Sequence, residues 1–196
     1  MSWRLLNDIG SVVARDDSLV PGTSTKKNTC VCVLIFKREE LLYDIANMAY
    51  VEGDITQAQD PHERHQIQDV VEDGNIDRVL RKIELAVDAC TEALYPYTKV
   101  EIDPEESHED TLEADGDYHI GLSLPTDFSK TTINYLEKLI HEYIVCYVLA
   151  DWMSITNIRN TQSAVNWSAK LEETKDEMQR ALFTRYRRIR RTSSPF

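Results

Sequence analysis

Apolar residues recur at three- and four-residue steps through most of this chain, the spacing that gathers side chains on one face of an α-helix. Residues 2–14 predict a short helix with Leu5, Leu6, Ile9, Val12 and Val13 on one broad face, followed by a Pro-Gly-Thr-Ser loop at 20–25. Leu41, Leu42, Ile45, Met48 and Ala49 predict a helix over 37–52, ended by Gly53 and Asp54. Asp60 before Pro61 marks a further helix start, for a short element ending near Gly74. Asn75 is placed to cap the next helix, in which Ile76, Val79, Leu80, Ile83, Val87, Cys90 and Leu94 make one stripe before Pro96 closes it. The strongest helix spans about 129–155, with Ile133, Leu136, Ile140, Tyr143, Ile144, Tyr147, Val148 and Trp152 on a wide face. After Thr156 and Asn157, Ala164, Trp167, Leu171, Met178, Leu182 and Ile189 predict an amphipathic helical arm over 161–189.

Two stretches depart from the helical period. Residues 118–124 alternate, with Tyr118, Ile120, Leu122 and Leu124 set against His119, Gly121 and Ser123, the period-two signature of a half-buried strand. Residues 99–102 are its expected partner, in a β-hairpin spanning 99–124. The run CVCVLIF at 30–36 is apolar throughout and fits either a strand or the buried start of a helix. The predicted fold is mainly α: a helical bundle with a small β-hairpin and a long C-terminal helical arm. Its parts are an N-terminal extension (1–59), a core (60–158) and a C-terminal helix with a basic tail (159–196). A helix as broadly apolar as 129–155 belongs in the middle of a bundle or in an interface. Tyr143, Tyr147, Trp152, Trp167 and Met178 are therefore candidate subunit-interface residues.

Composition supports helices, since six Gly and six Pro in 196 residues are few for a fold of many turns. An apolar fraction of 42% suffices for a packed core. The four cysteines, at 30, 32, 90 and 146, match no usual zinc spacing and suggest no disulfide framework, so a reducing cytoplasm is the expected site of synthesis. The N-terminus lacks the build of a signal peptide, and no apolar run reaches the roughly 18–20 residues of a membrane span. No membrane partner is expected.

Charge is strongly polarised. The net charge is -12, yet the last twelve residues, RYRRIRRTSSPF, hold five arginines. Nine of the seventeen residues from 101 to 117 are acidic, among them Glu101, Asp103, Glu105, Glu106, Glu109 and Asp110, and none is Lys or Arg. The calcium-loop ligand order is missing there, leaving a solvated tip or a surface that repels phosphate. For the tail, a favourable helix C-terminus is the plainest reading. DNA phosphates are a second class of target. An acidic protein partner fits better: arginine forks pair with carboxylates, and Tyr186, Ile189 and Phe196 supply apolar anchors. The expected docking set is Arg185, Tyr186, Arg187, Arg188, Ile189, Arg190, Arg191 and Phe196.

No enzyme signature emerges. His141-Glu142 begins a zinc-protease pattern, but Val145 stands where the second histidine belongs. His62 and His65 share a helix face without a third ligand. Nucleotide-binding glycine motifs and the G-x-S-x-G nucleophile motif are absent. No catalytic residue, metal or cofactor is expected.

The helix carrying Ile76 to Leu94, the β segment from Tyr118 to Leu124, Pro125, and the helix from Ile133 to Trp152, ending VLADWMSIT, follow one another in an order that resembles the head–tail connector (adaptor, neck) proteins of tailed bacteriophages. The resemblance covers about residues 60–196 and rests on pattern. It implies a virion structural protein at the neck, forming a homo-oligomeric ring of about a dozen copies beneath the portal protein. DNA would pass through without sequence-specific binding, and tail or further neck proteins would dock below. By the same analogy the C-terminal arginines and Phe196 form the arm that grips the portal. The alternative is a cytosolic nucleic-acid-binding or regulatory protein acting through that tail.

Overall fold

The computed structural model describes residues 29–55, 61–100, 116–126, 128–156 and 161–186. In chain order these form strand β1 (Thr29–Phe36), helix α1 (Arg38–Ile55), helix α2 (Pro61–Gln68) with a 3-10 turn at Asp69–Val71, helix α3 (Ile76–Ala93), strand β2 (Tyr118–Pro125), helix α4 (Lys130–Thr156) and helix α5 (Thr161–Tyr186). The protein is mainly helical, with a small two-stranded antiparallel sheet and a long C-terminal helix.

Helix α4 lies at the centre because it is apolar round most of its circumference. Leu136, Ile140, Ile144, Leu149 and Met153 are fully buried, and Tyr143, Val145, Val148 and Trp152 nearly so. Helices α1, α3 and α5 pack against it. Full burial of each large aliphatic side chain contributes about 1.5–3 kcal/mol, so this one helix organises the core. Polar ties fix its neighbours. The Trp152 indole donates to the Ile67 carbonyl at 2.9 Å, holding the end of α2. Asp151 accepts from Arg78 at 3.0 Å and Lys82 at 2.9 Å on α3. Tyr135 donates to Glu177 at 3.1 Å, and Lys170 pairs with Glu142, so α5 runs back antiparallel along α4.

The strand partner differs from the sequence expectation. β2 pairs with β1, in register from Thr29 opposite Pro125 to Phe36 opposite Tyr118. Lys99 and Val100 are not in a strand, and residues 101–115 lie outside the described residues. The reason is core-facing chemistry: Leu34 and Phe36 fill the same buried layer as Ile120, Leu122 and Leu124, whereas Lys99 and Val100 are exposed. The stretch 29–55 is therefore part of the core rather than an extension, with Leu34, Phe36, Leu41, Ile45 and Ala49 in the common cluster.

Two local details also depart from the sequence reading. Helix α1 continues through Gly53 to Ile55. Gly53 is buried, and a Cβ there would approach Gln68 Cγ to 2.7 Å, so the missing side chain lets α2 sit close. Asn75 stands at the start of α3 without capping it; its amide donates instead to the Asp69 carbonyl at 2.9 Å.

Candidate docking surfaces

The surfaces available to a partner follow from which side chains the core consumes. Of the five expected interface residues, Tyr143, Trp152 and Met178 are buried inside the chain, and Tyr147 and Trp167 pack partly buried against the same core. The broad face of α4 is thus covered by its own chain, because α5 supplies a matching stripe. Met178 and Leu182 are fully buried, and Met178 Sδ lies 3.9 Å from Cys90 Sγ on α3. Lys170 Nζ sits 5.1 Å from the centre of the Trp167 ring, a cation–π contact within α5.

Helix α5 is consequently not a free arm but a docked strut. Ser163 bonds Glu52 of α1 near one end, and Gln179 donates to the Ala93 carbonyl of α3 at 3.4 Å near the other. This fixes where the basic segment leaves the fold. Arg185 and Tyr186 form the last turn of α5, where the helix dipole favours cations. Arg187, Arg188, Ile189, Arg190, Arg191 and Phe196 lie outside the described residues, as do Glu101, Asp103, Glu105, Glu106, Glu109 and Asp110.

Two apolar surfaces escaped the sequence reading. On α1, Tyr43 (71% exposed), Tyr50, Val51 and Ile55 (69%) face away from the core. Tyr43, Tyr50 and Val51 stand at i, i+7 and i+8, a second stripe opposite the buried Leu41, Ile45 and Ala49. On β1, Val31 (60%), Val33 and Ile35 (53%) form the outer face of the sheet. Their cross-strand neighbours are Ser123, Gly121 and His119. The signal for both was in the sequence, as apolar positions in excess of one buried face.

Ionisable side chains near the centre serve packing. His141 and Glu142, adjacent in sequence, point to different helices: His141 Nε2 lies 2.8 Å from Asp44 of α1, and Glu142 pairs with Lys170 of α5. Glu39, Glu40, Tyr43, Asp44 and His141 line a shallow open depression. Among the described residues, no three His, Cys, Asp or Glu side chains are grouped to hold a metal. Burial pushes the Cys90 thiol up to about 12 and Cys146 up to about 11, where a thiolate nucleophile does not form at neutral pH. Tyr143 is pushed up to about 12, first by burial and then by neighbouring Cys90, Tyr147 and Glu172. Among the described residues, no helix is long and apolar enough to cross a membrane.

Comparison with protein-family models, with characterised proteins and with solved structures yields no match to this chain.

Proposed function

We propose that this chain is a structural subunit of the head–tail connector of a tailed bacteriophage, assembling as a ring beneath the portal through which DNA passes. The observation that carries this reading is the outer face of α1. Tyr43, Tyr50, Val51 and Ile55 are exposed on a helix whose opposite face is already buried, and clustered exposed aromatic and aliphatic residues mark protein contacts. In a ring that face meets the neighbouring copy. The basic C-terminal segment leaves a strut tied to three helices, a firm base for an arm that docks on an acidic partner such as the portal. The acidic stretch 101–117 disfavours DNA adhesion by like-charge repulsion.

The test is to mix the purified protein with portal particles, and separately with double-stranded DNA, and to image both. Ring density below the portal supports the proposal. Steep salt-dependent DNA retardation without portal association favours instead a nucleic-acid-binding protein that uses the five terminal arginines.

A further inference from the structure

The outer face of the β1–β2 sheet has an apolar strip and, among the described residues, nothing that covers it. Strand β1, TCVCVLIF, holds no charged residue and no proline, so it lacks the usual devices that protect an exposed strand from unwanted pairing. Val31, Val33 and Ile35 project outward from it. Across the pair, Gly121 stands opposite Val33 and Ser123 opposite Val31. A Cβ built on Gly121 meets nothing within 4 Å. The surface is therefore a ridge of branched aliphatic side chains beside open space over Gly121.

We propose that residues 2–14 of the same chain dock on this face as an amphipathic helix. That segment lies outside the described residues, and its sequence puts Leu5, Leu6, Ile9, Val12 and Val13 within about 120° of one helical face. Arg4, Asn7, Asp8 and Ser11 lie on the opposite side, with Trp3, Gly10 and Ala14 at one border. Such a stripe needs apolar cover to be stable as a helix. Its length, about 20 Å for thirteen residues, matches the roughly 26 Å of an eight-residue strand.

Connectivity selects this occupant. The chain enters β1 at Thr29, two residues before the strip begins. The intervening 15–28 is polar apart from Leu19, Val20 and Pro21, and fourteen residues can reach at most about 46–50 Å when extended, more than the length of the strip. Chain connectivity therefore lets residues 2–14 reach the strip as an intramolecular occupant. The acidic stretch 101–117 offers few apolar side chains to cover it, and the C-terminal segment is dominated by arginine. Docking would convert the exposed ribbon into a covered layer, with helix, sheet and core stacked in order. This inference is independent of the ring reading.

Hydrogen–deuterium exchange on the full-length protein tests it. The expected result is that amides at 5–13 exchange at least about tenfold more slowly than in an unstructured peptide, at every protein concentration. Val33→Asp combined with Ile35→Asp, both on the exposed face, should abolish that protection and lower the helical circular dichroism by no more than the segment 2–14 contributes, while the helical core amides stay unchanged. Leu6→Asp with Ile9→Asp provides the reciprocal variant: it touches no described core residue and should increase binding of an apolar dye to the exposed strip. Unprotected amides at 5–13 in the native protein overturn the proposal, as does protection that survives Val33→Asp/Ile35→Asp. Protection that grows with protein concentration shows that the segment binds a second copy and overturns the intramolecular form.

Discussion

At the scale of single residues, the chain's ionisable and polar groups act mainly as fasteners, and their environments give measurable signatures. Cys30 is exposed while Cys90 and Cys146 are buried, with thiols raised to about 12 and about 11 by burial. A thiol reagent at pH 8 should modify Cys30 quickly and Cys32 more slowly, and reach Cys90 and Cys146 only when denaturant is added, as mass spectrometry of the labelled protein would show. Asp151 has a different signature. Partial burial alone would raise its carboxyl, but the hydrogen bonds and charges of Lys82 and Arg78 outweigh this and hold it below its ordinary 3.8. Because the folded-state value lies below the unfolded one, its stabilisation is complete above that ordinary value and disappears as pH falls through the folded value. Asp151→Asn should cost about 1 kcal/mol at pH 7 and flatten the acid limb of the stability curve below pH 3.8, as urea titrations across pH would reveal. Thr132 points the other way. It is buried, and its hydroxyl has no hydrogen-bond partner among the described residues. Thr132→Val should leave stability unchanged or raise it by up to about 1 kcal/mol, by removing an unsatisfied polar atom.

At the scale of elements, the helices were legible because apolar positions recur at helical steps between breakers such as Pro61, Gly74 and Pro96. The spans of α3 and α4 match their apolar periodicity to within a residue or two. What stayed hidden was pairing. β1 is apolar on both faces: Leu34 and Phe36 go inward while Val31, Val33 and Ile35 go outward, so no alternation distinguished strand from helix. A neighbouring segment was then the natural partner for β2, although the buried layer required β1. The α1 stripe was obscured in the same way, by apolar residues on opposite sides of one helix. The role of α5 was underestimated because an amphipathic period does not say what covers it. Its docking depends on Met178 and Leu182, both fully buried. Leu182→Ala should destabilise the protein by about 2–4 kcal/mol, read from the shift in urea midpoint. Tyr43→Ser with Tyr50→Ser, on the exposed face of α1, should change stability by no more than about 0.5 kcal/mol while preventing ring formation on portal particles.

For the whole molecule, a buried helical body is combined with surfaces and charged segments that its own folding does not require. The net charge of -12 and the five terminal arginines coexist because they occupy different parts of the chain. Ending the chain after Tyr186 should leave the melting temperature within about 2 °C of the parent, since Leu182, the last fully buried residue among the described ones, is retained. The same truncation should abolish association with portal particles, measured by co-sedimentation. How much of the candidate docking apparatus could be read beforehand follows from its chemistry. Clustered arginines are visible in any sequence, whereas an uncovered helix face becomes visible only when the covered one is known.

The pairing of β1 with β2 has a consequence for biosynthesis. When the ribosome has just extruded Thr29–Phe36, the residues that will join it, Tyr118–Pro125, have yet to be translated. For that interval a sticky, uncharged octapeptide emerges with no mate, and long-range closure is slow. Nascent chains of this protein should therefore recruit holdase chaperones between the appearance of Phe36 and the release of Pro125, and shed them once the second strand clears the exit tunnel.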